Sequence, residues 1–157
     1  MPVAKIVILN WNGAEHLRRF LPSVVAAAPA GVEVVVADHG STDDSLRVLA
    51  TEFPSVGVLR LDANYGFAGG YNRALKQVEA DYYLLLNSDI ETPEGWLAPI
   101  LDVLEREPDV AVVSPKLISW TDRTEFEYAG ASGGFIDFLG YPFCRGRILR
   151  PVSYTHL

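Results

Sequence analysis

Four apolar runs, Val3 to Leu9, Val32 to Ala37, Val56 to Leu61 and Tyr82 to Leu86, are separated by stretches in which apolar residues recur at helical spacing. Val3 to Leu9, β-branched and apolar, fits a strand covered on both faces, and the alternation of these runs with helices predicts β-α-β units around a parallel sheet. The helical stretches are marked by Leu17, Phe20, Leu21, Val24 and Val25, then by Leu46, Leu49, Ala50 and Phe53, then by Tyr71, Ala74, Leu75 and Val78. Ser41, with Asp44 three residues on, is a suitable cap for the second helix. Thr92-Pro93-Glu94 reads as the start of a fourth, running through Leu97, Ile100, Leu101 and Leu104, and Val110 to Ser114 is expected as a fifth strand. From Pro115 onward glycines and aromatics accumulate without a period, which predicts loops and short strands.

In an open parallel sheet, ligands bind outside the carboxyl ends of the strands, so the residues directly after each apolar run carry the chemistry. Those segments are polar: Asn10-Trp11-Asn12-Gly13, then Asp38-His39-Gly40-Ser41-Thr42-Asp43, then Asn64 to Asn72, then Asn87-Ser88-Asp89-Ile90-Glu91. Each has a plain structural reading as a turn or cap. Four on one rim favour a site. Trp11 offers a stacking surface for a nucleobase, and Asp38 can accept from a base imino group. The glycines of 66–70 let backbone approach a ligand at a helix amino end, which suits phosphate. Asp89, with Glu91 two residues on, supplies hard oxygens of the kind that hold Mg²⁺ or Mn²⁺ against a diphosphate.

Charge agrees with this. Thirteen basic against twenty acidic residues give a net charge of −7, which argues against nucleic acid or anionic membrane as the main partner. An acidic protein handling phosphates needs local help, such as a divalent metal. Cys144 is the only cysteine, so no internal disulfide forms, and a reducing cytoplasmic setting is expected. The first apolar run is broken at once by Asn10 and Asn12, so it is expected to be a strand rather than a signal peptide or membrane span.

The motifs NWNG, DHGSTDDS, NYGFAGGYNRAL and LLLNSDIETPEGWL, in this order and spacing, resemble those of family-two glycosyltransferases, the rhamnosyltransferase-like branch of the GT-A enzymes. The resemblance covers nearly everything to about Pro151. It implies an α/β fold, a Rossmann-like three-layer α/β/α sandwich around a mainly parallel sheet. It also implies an inverting, metal-assisted bacterial enzyme of cell-surface polysaccharide biosynthesis, taking a UDP- or dTDP-sugar donor and a glycan or lipid-linked acceptor. The implied donor residues are Asn10, Trp11, Asn12, Asp38, His39, Gly69, Asn72, Asn87 and Asp89. Trp11 and Asp38 would hold the base, Asn87 would meet the ribose or diphosphate, and Asp89 would bind the metal almost alone. Two positions depart from the family: His39 stands where Asn or Asp is usual, and Asn87 replaces the first acid of the Asp-x-Asp motif.

The family's base is a later Asp or Glu in an acidic segment. No such segment is present, and Asp122, Glu125, Glu127 and Asp137 are poor candidates. Residues 1–151 are therefore expected to be a donor-binding domain incomplete at its carboxyl end, binding donor with little or no transfer. Cytoplasmic placement is expected, with attachment at the inner face of the membrane left open for the full-length enzyme. Residues 152–157 resemble a translated sequencing adaptor and are expected to be a non-native tail. Two other readings were weighed. A nucleotidyltransferase of related fold would need a Gly-rich basic loop after the first strand, and a dinucleotide-dependent oxidoreductase would need its glycine fingerprint there. A non-catalytic nucleotide-sugar-binding fragment is the remaining alternative.

Overall fold

The computed structural model describes residues 4–124, 134–136, 138 and 142–144. The expectations for Glu125, Glu127, Asp137 and residues 152–157 lie outside them. The chain divides into two compact units, Met1–Pro99 and Ile100–Leu157.

In the first unit, β1 (Ala4–Asn10), β2 (Glu33–Asp38), β3 (Gly57–Arg60) and β4 (Tyr82–Asn87) form one sheet in the order β3-β2-β1-β4. Every neighbouring pair is parallel. Parallel neighbours need crossovers, which α1 (Ala14–Ala27), α2 (Ser45–Glu52) and α3 (Gly66–Ala74) supply. Right-handed crossovers put α1 and α2 on one face, because both step outward from β1 to β3; α3 steps back to β4 and falls on the other. The buried side chains agree. Val7 and Ala37 pack with Tyr71, Ala74 and Val78 on the α3 side. The strand residues between them, Ile6, Ile8 and Val36, are equally buried, as are Leu17, Leu21 and Val24 of α1 and Val48 and Leu49 of α2. An α/β layered fold with a parallel sheet is therefore present.

Three expected boundaries shift. The second helix begins at Ser45 rather than after Ser41, and its buried stripe is Ser45, Val48 and Leu49, with Leu46 half-buried and Ala50 exposed. The fourth helix, α4 (Ala98–Arg106), starts after the Thr92-Pro93-Glu94 turn because Thr92 is pinned elsewhere: it is buried, and its N–H donates to Ser23 Oγ at 3.1 Å. Gly95 then takes φ +74°, which no helix allows. Residues 110–114 are not a strand; Val112 is 82% exposed, and a β-rich run without a partner strand has no ladder to hold it extended. In the second unit β5 (Gly134–Ile136) and β6 (Pro142–Cys144) pair antiparallel, the short strands the glycine-rich region predicted. No helix among the described residues is long and apolar enough to cross a membrane.

Candidate functional site

The strand order reverses direction between β1 and β4. That point is the topological switch, where helices leave the sheet on opposite faces and open a crevice at the carboxyl ends. Register sets what stands there: Leu9 lies beside Asn87 and Asn10 beside Asp38. The polar segments that follow meet above these pairs.

Two of those segments are stapled together. Asp38, 1% exposed, accepts from Asn10 Nδ2 (2.9 Å), Ser41 Oγ (2.6 Å) and the Ser41 N–H (2.9 Å). Asn12 sits at φ 50°, a left-handed conformation that Asn tolerates. Its Oδ1 accepts from the Thr42 N–H (2.8 Å) and Asp43 N–H (3.3 Å), while its own N–H donates to Ser41 Oγ (2.9 Å). Asp43 then reaches both helix starts, accepting from the Ala14 N–H (3.0 Å) and the Ser45 N–H (2.9 Å). It fills the capping role that the sequence suggested for Ser41, whose hydroxyl is already taken by Asp38.

Partial burial pushes the Asp43 carboxyl up, but the Ser45 and Ala14 donors together outweigh it and leave it below its ordinary value. A depressed carboxylate contributes stability that is present above its unfolded-state value and lost as pH falls through the folded one. Asp43→Asn is therefore expected to lower stability at neutral pH and to flatten its fall below the ordinary carboxylate range. Urea unfolding at neutral pH and at pH near 3, compared with the parent, checks this; an unchanged slope with pH would contradict it.

On the other face, His39 is 2% exposed and fits because Gly70 has no side chain. A Cβ there would lie 1.9 Å from His39 Cε1 and 2.0 Å from Nε2. Among the described residues, neither His39 Nε2 nor Asn10 Oδ1 has a hydrogen-bond partner. Tyr71, next on α3, donates its hydroxyl to the Leu86 carbonyl at 3.0 Å, tying α3 to β4; burial pushes its phenol up to about 12, so it stays a donor.

Above these floor residues opens a cleft of about 390 Å³, lined by Leu9, Asn10, Trp11 and His16, by His39, by Asn64, Gly66 and Phe67, and by Asn87, Ser88 and Asp89. This is the size of a small-molecule site. Of the residues singled out from sequence, Asn10, Trp11, His39, Asn87 and Asp89 are brought together here. Asn12 and Asp38 form the staple and are outside the lining, as are Gly69 and Asn72 on α3. His16, Asn64, Phe67 and Ser88 were not singled out. Asn64, Phe67 and Ser88 belong to segments already recognised as rim, but His16 reads as an ordinary residue of a helix first turn.

Among the described residues no cluster of three or more His, Cys, Asp or Glu could hold a metal. Asp89 is an exposed carboxylate at the cleft wall. A lone hard oxygen ligand with open positions beside it fits Mg²⁺ or Mn²⁺ shared with phosphate oxygens and water, not a cage made by protein alone.

Comparison with known proteins follows the same line. The model of glycosyl transferase family 2 matches residues 5–146. N-acetylglucosaminyl-diphospho-decaprenol L-rhamnosyltransferase of Mycobacterium tuberculosis is 28% identical over 124 residues, 72% of this chain and 40% of that protein. Human polypeptide N-acetylgalactosaminyltransferase 16 is 31% identical over 142 residues, 86% of this chain and 25% of that one. The chain thus spans less than half the length of these relatives. Among solved structures, Staphylococcus aureus TarS 1-349 in complex with UDP-GlcNAc superposes with a TM-score of 0.59 at 22% identity, covering 74% of this chain and 38% of that one. The mannosyltransferase PcManGT from Pyrobaculum calidifontis, in complex with GDP-Man and Mn²⁺, gives 0.57 at 21%, covering 74% and 34%.

Proposed function

The chain belongs to glycosyl transferase family 2, and from that premise we propose that its cleft binds a nucleotide-diphosphate sugar for metal-assisted, inverting transfer to a glycan or lipid-linked hydroxyl. The observation that carries this is the meeting of Trp11 and Asp89 in one cleft at the switch point. Trp11, 57% exposed, offers its indole to a base, with UDP or dTDP the expected nucleotide. Asn87 stands beside Leu9 at the end of β4, suited to the ribose or diphosphate. Asp89 would hold Mg²⁺ or Mn²⁺, which when bound neutralises charge on the departing diphosphate. Asn10, Asn12 and Asp38 serve the donor by fixing the rim, and His39 by standing at its base; Gly69 and Asn72 rest on the resemblance alone.

Inversion needs a base that takes the acceptor proton as the hydroxyl attacks. Asp122 is a poor one, since its Oδ1 already accepts from the Thr124 N–H (2.9 Å) and hydroxyl (2.6 Å), which hold its carboxyl below its ordinary value. Donor binding with transfer near background is the expected behaviour of these 157 residues. The reading places them on the cytoplasmic side, as one donor-binding domain to residue 151.

Calorimetric titration with UDP and dTDP, with and without Mn²⁺, tests this. Trp11→Ala is expected to weaken either nucleotide about tenfold, the loss of one stacked base. Asp89→Ala is expected to abolish the gain from Mn²⁺ while leaving metal-free binding unchanged. Affinity that ignores metal in the parent and survives both substitutions would refute the assignment.

A further inference from the structure

We propose that Phe67 is a second aromatic contact for the donor's nucleobase, acting with Trp11 in the same cleft; this rests on the donor-binding reading above. Phe67 is 64% exposed in the first turn of α3, yet its surroundings are braced. Asn64 Oδ1 accepts from the Gly66 N–H at 2.8 Å, closing the turn in front of it. Tyr65 donates to the Asp62 carboxylate at 2.8 Å, and the Arg73 guanidinium lies 3.5 Å over its ring. The Phe67 ring itself meets Tyr71 edge-on, with centroids 5.0 Å apart and planes at 73°. Tyr71 is buried and anchored to β4 by its hydroxyl. An exposed aromatic held this firmly is preorganised for a partner, because little freedom remains to be lost on binding.

A separate observation says what kind of partner. The polar side chains of Asn10, Asn64 and Ser88 line the same cleft as the two rings. Two exposed rings, after β1 and on α3, with these polar side chains beside them, fit a flat heteroaromatic ligand with apolar faces and a polar edge. A diphosphate alone would not use that set. A nucleobase does.

The test compares dissociation constants for UDP, dTDP and inorganic pyrophosphate, all with Mn²⁺, on the chain and its Phe67→Ala, Phe67→Leu, Phe67→Tyr and Trp11→Ala variants. Phe67→Ala is expected to weaken both nucleotides about tenfold and pyrophosphate not at all, as for loss of one stacking ring. Phe67→Leu should keep most of that loss despite its bulk, and Phe67→Tyr should restore binding. If Phe67→Ala leaves UDP and dTDP unchanged while Trp11→Ala weakens them, the donor reading stands and the role of Phe67 falls. Equal losses for nucleotides and pyrophosphate would also overturn it, as a general distortion. If the parent chain binds neither nucleotide, both readings fall.

Discussion

Gly70→Ala is expected to destabilise the fold by up to about 2 kcal/mol, although the same change would ordinarily help a helix. Alanine in place of a helical glycine gains about 1 kcal/mol. Here the new methyl would lie 1.9 Å from His39 Cε1, 2.0 Å from Nε2 and 3.1 Å from Leu9 Cδ1. Overpacking of a filled interior costs about 1–3 kcal/mol and occasionally more, and a short-stemmed imidazole that is 2% exposed has nowhere to retreat. The clash wins. Removing the ring should reverse the sign: in a His39→Ala background, Gly70→Ala should become neutral or stabilising by up to about 1 kcal/mol. A double-mutant cycle by urea unfolding reads this directly, and additive effects would mean that the ring and the glycine do not meet.

Asp38→Ala is expected to cost about 3–4 kcal/mol, a large share of the roughly 5–15 kcal/mol that holds a domain together. The carboxylate is buried and takes three hydrogen bonds, two from side chains on different segments. Bonds to a charged group are worth about 1.5–3 kcal/mol each, are not additive, and leave donors stranded when the acceptor goes. Asp38→Asn should lose roughly half as much, since one oxygen remains but an amide replaces the other. Chemical denaturation at constant m-value is the measurement. A loss under about 1 kcal/mol would mean that the staple between the β1 and β2 loops is not held by this residue.

These two residues also show what the sequence discloses. The first two strands were legible because β1 and β2 are buried on both faces and so are almost purely apolar, whereas β4, just as apolar in sequence, alternates half-buried and exposed positions. The site's location was legible too, since polar residues collect where parallel strands end. What escaped was the competition for individual groups. Ser41 has the pattern of a helix cap, but its hydroxyl is claimed by Asp38, and the helix waits until Ser45. Thr92 and Pro93 read as a helix start, but Thr92 is held by Ser23 of α1, a partner 69 positions away that no local pattern contains. Asp38 was expected to meet a base; in the fold its hydrogen bonds run to Asn10 and Ser41. The paired glycines at 69 and 70 read as loop permissiveness, whereas Gly70 is needed as room for an imidazole.

The sheet has two unlike ends. The donor cleft lies at the carboxyl end, whereas at Gly31, in the turn before β2 at the opposite end, an added side chain would meet open space. A fluorophore or short epitope spliced there would report on the molecule from the far side of four strands. Labels should go in at that turn, where ligand titrations can be followed without the probe becoming part of what is measured.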